Sequence, residues 1–388
     1  MPFPLYMLAL AVFVMGTSEF MLAGLLPAIA TELDVSVGTA GLLTSAFAVG
    51  MVIGAPVMAA FARQWPPRLT LVACLLLFAG SHAIGAATPA FSLLLITRVL
   101  SALANAGFLA VALSTATTLV PPNQKGRALS ILLSGTTIAT IAGVPAGALL
   151  GTALGWRTTF WAIAILCVPA FFGIIRGITN KARQSATSAS SPKLSAELSE
   201  LARPRLILAM VLGALTNGGT FAAFTFLAPV VTEIAGLAEG WVSVALVMFG
   251  TGSFLGVTTA GRLSDQRPGL VLAVGGPLLL TGWIVLALLA SNPVALVVLV
   301  FVQGFLSFGV GSTLITRVLY AASGAPTMNG SYATAALNIG AAAGPVLGAF
   351  GLVTGLGLLA PVWVAAALTT TALAIMVLTW RSLTVIRN

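Results

Sequence analysis

The sequence predicts an all-α integral membrane protein of twelve transmembrane helices arranged as two pseudo-symmetric six-helix halves. Three observations lead there. First, 59% of the 388 residues are apolar and only 6% are charged, whereas soluble proteins carry about 25% charged residues. Second, proline, glycine and charged residues punctuate the chain into twelve apolar runs, each holding the roughly 20 residues that a spanning helix needs. Third, the two sets of six runs repeat: Pro27 matches Pro229, Gly50 matches Gly252 and Gly54 matches Gly256, all at one offset of 202 residues. Chance supplies one such match, but several glycines and prolines at one offset and equivalent depth point to duplication.

In the first half the spans are expected at 5–30, 38–62, 68–88, 91–119, 125–150 and 157–178. In the second they are expected at 204–231, 239–263, 268–290, 293–320, 327–350 and 357–380. The opening run lacks a basic n-region and a small-residue cleavage site and is too long for a signal segment, so it is read as the first span. The halves are then 1–178 and 204–388, joined by a polar, Ser/Ala-rich, basic linker at 179–203 that carries a short surface helix near 193–201.

A net charge of +9 would suggest a nucleic-acid partner in a soluble chain. Here the basic residues sit in short loops, so they report topology and imply no nucleic acid. Fifteen of the 17 lysines and arginines fall on or near the side of the termini; Arg157 lies on the other side and Arg98 inside a span. The positive-inside rule therefore predicts both termini in the cytoplasm. Cys74 and Cys167 lie in separate apolar runs and read as small buried hydrophobes. No Walker loop, metal-ligand cluster or Asp-rich prenyl motif is present, so no cofactor or metal is expected, and an ATP-driven pump or intramembrane enzyme has no chemistry to run on.

The stretch GTSEFMLAGLLP, 16–27, sets a carboxylate, Glu19, near the middle of a span. An ionisable group at that depth costs at least ~2.5 kcal/mol and ordinarily lines a polar pathway. Glu19 is thus the first functional candidate, and Arg98, the one basic residue deep in a span, is placed to tune it by charge; the proton-coupling role of this pair is what the resemblance given below implies. Asn105, Asn217, Gln303 and Asn338 are candidates to line a substrate cavity, with Met15, Phe108, Phe221, Phe224 and Tyr332 as its walls. Such amides also serve as interhelical glue. His82 reads as packed or interfacial.

Several motifs resemble those of the twelve-helix drug:proton antiporters of the major facilitator superfamily, a resemblance that covers the whole chain. GRLSDQRPG (261–269) is similar to that family's loop motif, with Gly261, Asp265 and Arg267 in place. The resemblance implies a latch for the outward-facing state, in which the acid meets a neighbouring helix N-terminus and the arginines bridge to the opposite half. Its first-half counterpart, AAFARQWPPR (59–68), ends in Arg68 but has Arg63 where the acid should stand and Pro67 where the glycine should. Arg98 resembles the intramembrane arginine of the fourth span, though Ser101 and Ala102 replace the glutamine and glycine that normally follow. Gly143, Pro145 and Gly147, flanked by Gly135 and Gly151, resemble the glycine-proline motif of the fifth span, echoed by Gly340, Gly344, Pro345 and Gly348.

Longer stretches, among them NAGFLAVALSTATTLVP and GSYATAALNIGAAAGPVLG, resemble actinobacterial chloramphenicol exporters of the Cmx/Cml type. That resemblance implies a monomer in the bacterial cytoplasmic membrane that exports chloramphenicol or a related small amphipathic drug by alternating access, in exchange for protons. The residues by themselves reach only a secondary transporter of unknown cargo. An exporter of sugars or nucleosides, or a transport-inactive sensor, remains open at this point.

Overall fold

The computed structural model describes residues 1–61, 65–178, 194–266, 268–325 and 328–379. It contains twelve stretches long and apolar enough to cross a membrane. α1 (Phe3–Phe20) and α2 (Leu22–Glu32) make the first span, followed by α3 (Val37–Phe61), α4 (Pro67–Ala87) and α5 (Phe91–Thr118). α6 (Lys125–Ile138), a π turn (Ala139–Gly143) and α7 (Val144–Leu154) form the fifth span, and α8 (Trp156–Gly177) the sixth. After a short α9 (Leu194–Ser199), α10 (Pro204–Thr225), α11 (Leu227–Pro229) and a second π turn (Val230–Ile234) make the seventh. α12 (Gly240–Gln266), α13 (Pro268–Leu289), α14 (Pro293–Ala321), α15 (Asn329–Val353) and α16 (Ala360–Leu378) complete the set.

The helices begin and end where local chemistry dictates. α4, α10, α13 and α14 each open on a proline, which costs nothing in the first turn because its missing N–H would have no partner there. Asn292 caps α14, its side chain accepting from the N–H groups of Val294 and Ala295 at 3.1 Å each. α7 stops at Gly155, whose φ of 86° favours glycine. The first run was expected as one helix, and it is interrupted at Met21, where the Gly24 N–H bonds the Met21 carbonyl in a tightened turn. The seventh is interrupted at Phe226. Both breaks precede the matched prolines, Pro27 and Pro229, which leave a carbonyl four residues back without its donor.

The paired glycines occupy equivalent places. A Cβ at Gly50 would stand 2.6 Å from the Val99 oxygen and 2.6 Å from the Ala102 Cβ, and one at Gly54 would meet Leu103 and Ala106, all on α5. In the second half Gly252 and Gly256 of α12 press on Phe301 and Phe305 of α14. Val99 and Leu103 are themselves 202 residues before Phe301 and Phe305. Both members of each helix pair thus carry the repeat, as duplicated packing requires.

Away from the termini, α2 packs against α10 and α11, and α7 packs against α12. Toward the termini, α1 and α6 make their main contacts within their own half. The space between the halves therefore opens on the terminus side. One seam runs the full length: α3 meets α15 from Gly38 beside Ala349 to the Ser331 hydroxyl, which donates to the Ala55 carbonyl at 3.2 Å. Arg157, the off-side cation, binds Glu32 at 2.6 Å and the end carbonyls Ala86 and Thr88 at 2.8 and 2.6 Å, tying α8 to the ends of α2 and α4.

The glycine contacts make a thermal prediction. Gly256→Ala forces a methyl against the Phe305 backbone, which cannot yield as a side-chain tip can, so a loss of about 1–3 kcal/mol is expected. Gly261→Ala, with open space around it, should hold or raise the midpoint through helix propensity. Thermal unfolding of both variants in detergent checks the ordering.

Candidate functional site

The break in the first span is where the site begins. Ser18 stands in the last turn of α1, where helix carbonyls run out of intrahelical donors. Arg98, buried in α5, reaches across to it: Nη2 donates to the Ser18 carbonyl at 2.9 Å and Nη1 to the Ser18 hydroxyl at 2.8 Å. The guanidinium also lies 4.5 Å from the centre of the Phe47 ring. Its planar fork serves two acceptors at once, which a lysine ammonium on its flexible stem does less well. The Ser18 hydroxyl in turn is 2.6 Å from His82 Nε2, and His82 Nδ1 is 2.8 Å from the Phe78 carbonyl. The imidazole is buried between Phe78 and Phe160, with ring centres at 4.3 and 5.6 Å.

Glu19 follows Ser18. It is enclosed by protein yet retains accessible surface, as a side chain facing an internal space does. Arg98 lies within its electrostatic reach but outside ion-pair contact, and Glu19 has no hydrogen-bond partner among the described residues. The next residue, Phe20, crosses to the second half, its ring tilted against Phe221 at 5.7 Å and edge-on to Phe224 at 6.1 Å. Phe224 continues to Phe249 at 4.6 Å, and Phe249 to Phe308 at 6.0 Å. An aromatic cluster therefore joins the halves beside the one carboxylate at mid-span.

The other candidates are distributed more widely. Asn105 is buried, with its amide 3.7 Å from the Met51 sulfur. Asn217 donates to the Leu337 carbonyl at 2.8 Å, tying α10 to α15, whereas Asn338 donates to the Thr334 carbonyl of its own helix at 3.0 Å. Gln303 donates to the Leu279 carbonyl at 3.4 Å and is packed against Gly282, joining α14 to α13. Met15 and Phe108 belong to the apolar core of the first half. Tyr332 lies toward the termini, its hydroxyl donating to the Glu197 carbonyl of α9 at 2.8 Å.

Gly143 packs on Phe13 and Thr17, and Gly147 on Thr159 and Met21, with Pro145 buried between them. Gly261 is exposed, and Arg68 is half-buried in the first turn of α4. Arg63, Arg267 and the Asp265 side chain lie outside the described residues.

The structure thus brings Glu19, Arg98, Phe221 and Phe224 together. It adds Ser18, Phe20, Phe47, Phe249 and Phe308, which sequence reasoning did not single out, and His82, which reads from sequence as packed or interfacial. One signal was available: Phe47 and Phe249 stand at the same 202-residue offset as the glycines. Nothing in the sequence joins Ser18 to His82.

The double contact of Arg98 makes a stability prediction. Arg98→Lys keeps the charge but loses the fork, leaving a buried Ser18 acceptor unmet at about 1–3 kcal/mol. A thermal unfolding midpoint in detergent should fall accordingly, and a midpoint equal to wild type would show that the fork does not hold α1 to α5.

Residues 8–335 match the family model described as Major Facilitator Superfamily. The chain is 64% identical over 373 residues to the chloramphenicol resistance protein of Streptomyces lividans, covering 96% of this chain and 95% of that protein. It is 33% identical over 361 residues to the inner membrane transport protein YdhP of Escherichia coli (strain K12), covering 92% and 90%. In fold it is similar to a bacterial homologue of the human lysosomal transporter Spinster, solved in an inward-facing and occupied conformation: TM-score 0.79 at 15% identity, over 97% of this chain and 96% of that one. Twelve spans in two packed halves, a family match over most of their length and a 64% identical relative over nearly all of it make this chain a multi-pass membrane transporter of the Major Facilitator Superfamily.

Proposed function

We propose that the chain exports chloramphenicol, or a closely related small amphipathic drug, from the cytoplasm in exchange for protons. The cargo rests on the 64% identity to a chloramphenicol resistance protein. The coupling rests on one observation: Glu19, enclosed at mid-span with an accessible face, has Arg98 near it and no hydrogen-bond partner among the described residues. The working cycle is alternating access by a monomer in the bacterial cytoplasmic membrane, with residues 1–178 and 204–388 as the moving halves. The positive-inside count favours cytoplasmic termini, so the opening on the terminus side faces the cytoplasm, where the drug enters.

In this reading the drug and the proton compete for one desolvated space. The apolar ring of the drug lies against Phe20, Phe221 and Phe224, where aromatic contacts add about 0.5–1.5 kcal/mol per pair beyond area burial. Entry of the drug expels the proton from Glu19, and return of the emptied site to the outer face restores it. Asn105, Asn217 and Asn338 supply further polar contacts as the halves move.

Glu19→Gln fixes the neutral form of the side chain. It should fold, bind drug and permit drug-driven exchange, yet abolish uphill export. The measurement is proton release when chloramphenicol is added to purified protein, together with survival of expressing cells with and without a protonophore. A variant that still releases protons and confers resistance would place the coupling acid elsewhere. Unchanged drug accumulation in wild-type cells would remove the cargo assignment.

A further inference from the structure

We infer that Ser18 and His82 are positioning residues for the Glu19–Arg98 pair: they hold the guanidinium by its two terminal nitrogens and reserve its Nε–H for the Glu19 carboxylate. The inference rests on the proposal that Glu19 carries the coupled proton. It concerns what keeps Arg98 in the orientation that Glu19 needs.

The hydrogen bonds have one consistent direction. The Phe78 carbonyl only accepts, so His82 Nδ1, 2.8 Å away, carries the hydrogen. A neutral imidazole then presents the Nε2 lone pair to Ser18, and the hydroxyl donates to it across 2.6 Å. With its hydrogen committed to His82, the Ser18 oxygen turns its lone pairs to Arg98 Nη1 at 2.8 Å. Nη2 is taken by the Ser18 carbonyl at 2.9 Å, and Phe47 covers the guanidinium face. Phe78 and Phe160 flank the imidazole and fix its plane.

Every part of this chain is buried, and it crosses α1, α4 and α5. One nitrogen of the guanidinium is left without a partner. Arg98 Nε is buried without a hydrogen-bond partner among the described residues. Glu19, the residue after Ser18, is the carboxylate within electrostatic reach and has no hydrogen-bond partner among the described residues either. A buried N–H kept vacant beside a carboxylate that gains charge on losing its proton is a preorganised acceptor site for that charge. Each terminal nitrogen keeps a second hydrogen, but with both nitrogens anchored on Ser18 the guanidinium cannot turn, and the direction of its Nε–H is fixed. Loss of the His82 acceptor frees the Ser18 hydroxyl to rotate, and the fork loses its fixed reference.

Radiolabelled chloramphenicol in everted membrane vesicles reads the effect as the ratio of proton-driven accumulation to drug–drug exchange. In His82→Phe and in Ser18→Ala the ratio should fall by about tenfold or more, the scale expected when a reacting group is displaced by an ångström or less. His82→Gln, whose side-chain carbonyl accepts from Ser18 as Nε2 does, should restore it. A packing role alone would lower the amount of folded transporter in all three variants and leave the ratio unchanged. A wild-type ratio in both His82→Phe and Ser18→Ala overturns the inference, as does a Gln variant that fails like Phe.

If His82→Phe does not reach the membrane, Ser18→Ala, which removes a single oxygen, decides the matter. Glu19→Gln run alongside separates the two readings. If Glu19→Gln keeps uphill accumulation, the proton-site assignment falls and this inference with it. If Glu19→Gln loses accumulation while Ser18→Ala keeps it, only the positioning role is overturned.

Discussion

A permanent cation inside a membrane span must be given acceptors by the protein, because the surrounding lipid offers none. Arg98 meets that requirement on Ser18, and much of the first half is arranged to make it possible. The first span is interrupted at Met21, so a carbonyl of the preceding turn is available. The hydroxyl on the same residue is oriented by His82, and Phe47 shields the guanidinium face. Four helices, α1, α3, α4 and α5, thereby meet around one charge. The carboxylate beside it inherits a defined electrostatic environment without being tied into the network itself.

The scaffold is duplicated, but the chemistry is not. The 202-residue offset that carries Gly50 onto Gly252 also carries Glu19 onto Phe221 and Arg98 onto Val300. The second half keeps the backbone packing of the first and replaces its charges by apolar side chains. Phe221 then contacts Phe20, the neighbour of the very glutamate whose equivalent place it holds. One half thus supplies the buried charges and the other an aromatic surface, with the contact between them at mid-span.

The spans were legible because lipid imposes a simple rule: backbone groups must be satisfied within each helix, and about 20 apolar residues are needed to cross. Duplication was legible because helices cannot approach closely without glycine, so Gly252 and Gly256 could not drift. Glu19 and Arg98 stood out as charges in apolar runs. Side-chain partnership was not legible. Ser18 and His82 are 64 residues apart, and nothing local specifies which faces of α1 and α4 meet. Gln303, polar within a span, bonds to the Leu279 carbonyl of α13, and Asn338 to the Thr334 carbonyl of its own helix, which no residue spacing announces. The break at Met21 escaped notice because no breaker residue stands there; Pro27 lies in the next turns.

The seam between α3 and α15 bears on leakage. Contact runs from Gly38 and Ala349 at one end to Ala55 and Ser331 at the other, so the halves cannot part at both mouths without losing their longest shared surface. In the proposed cycle the halves swing about that line, and a swing that widens one mouth narrows the other. A pore open to both sides at once, through which protons would run down their gradient without carrying anything, is thus excluded by the same contact that holds the molecule together.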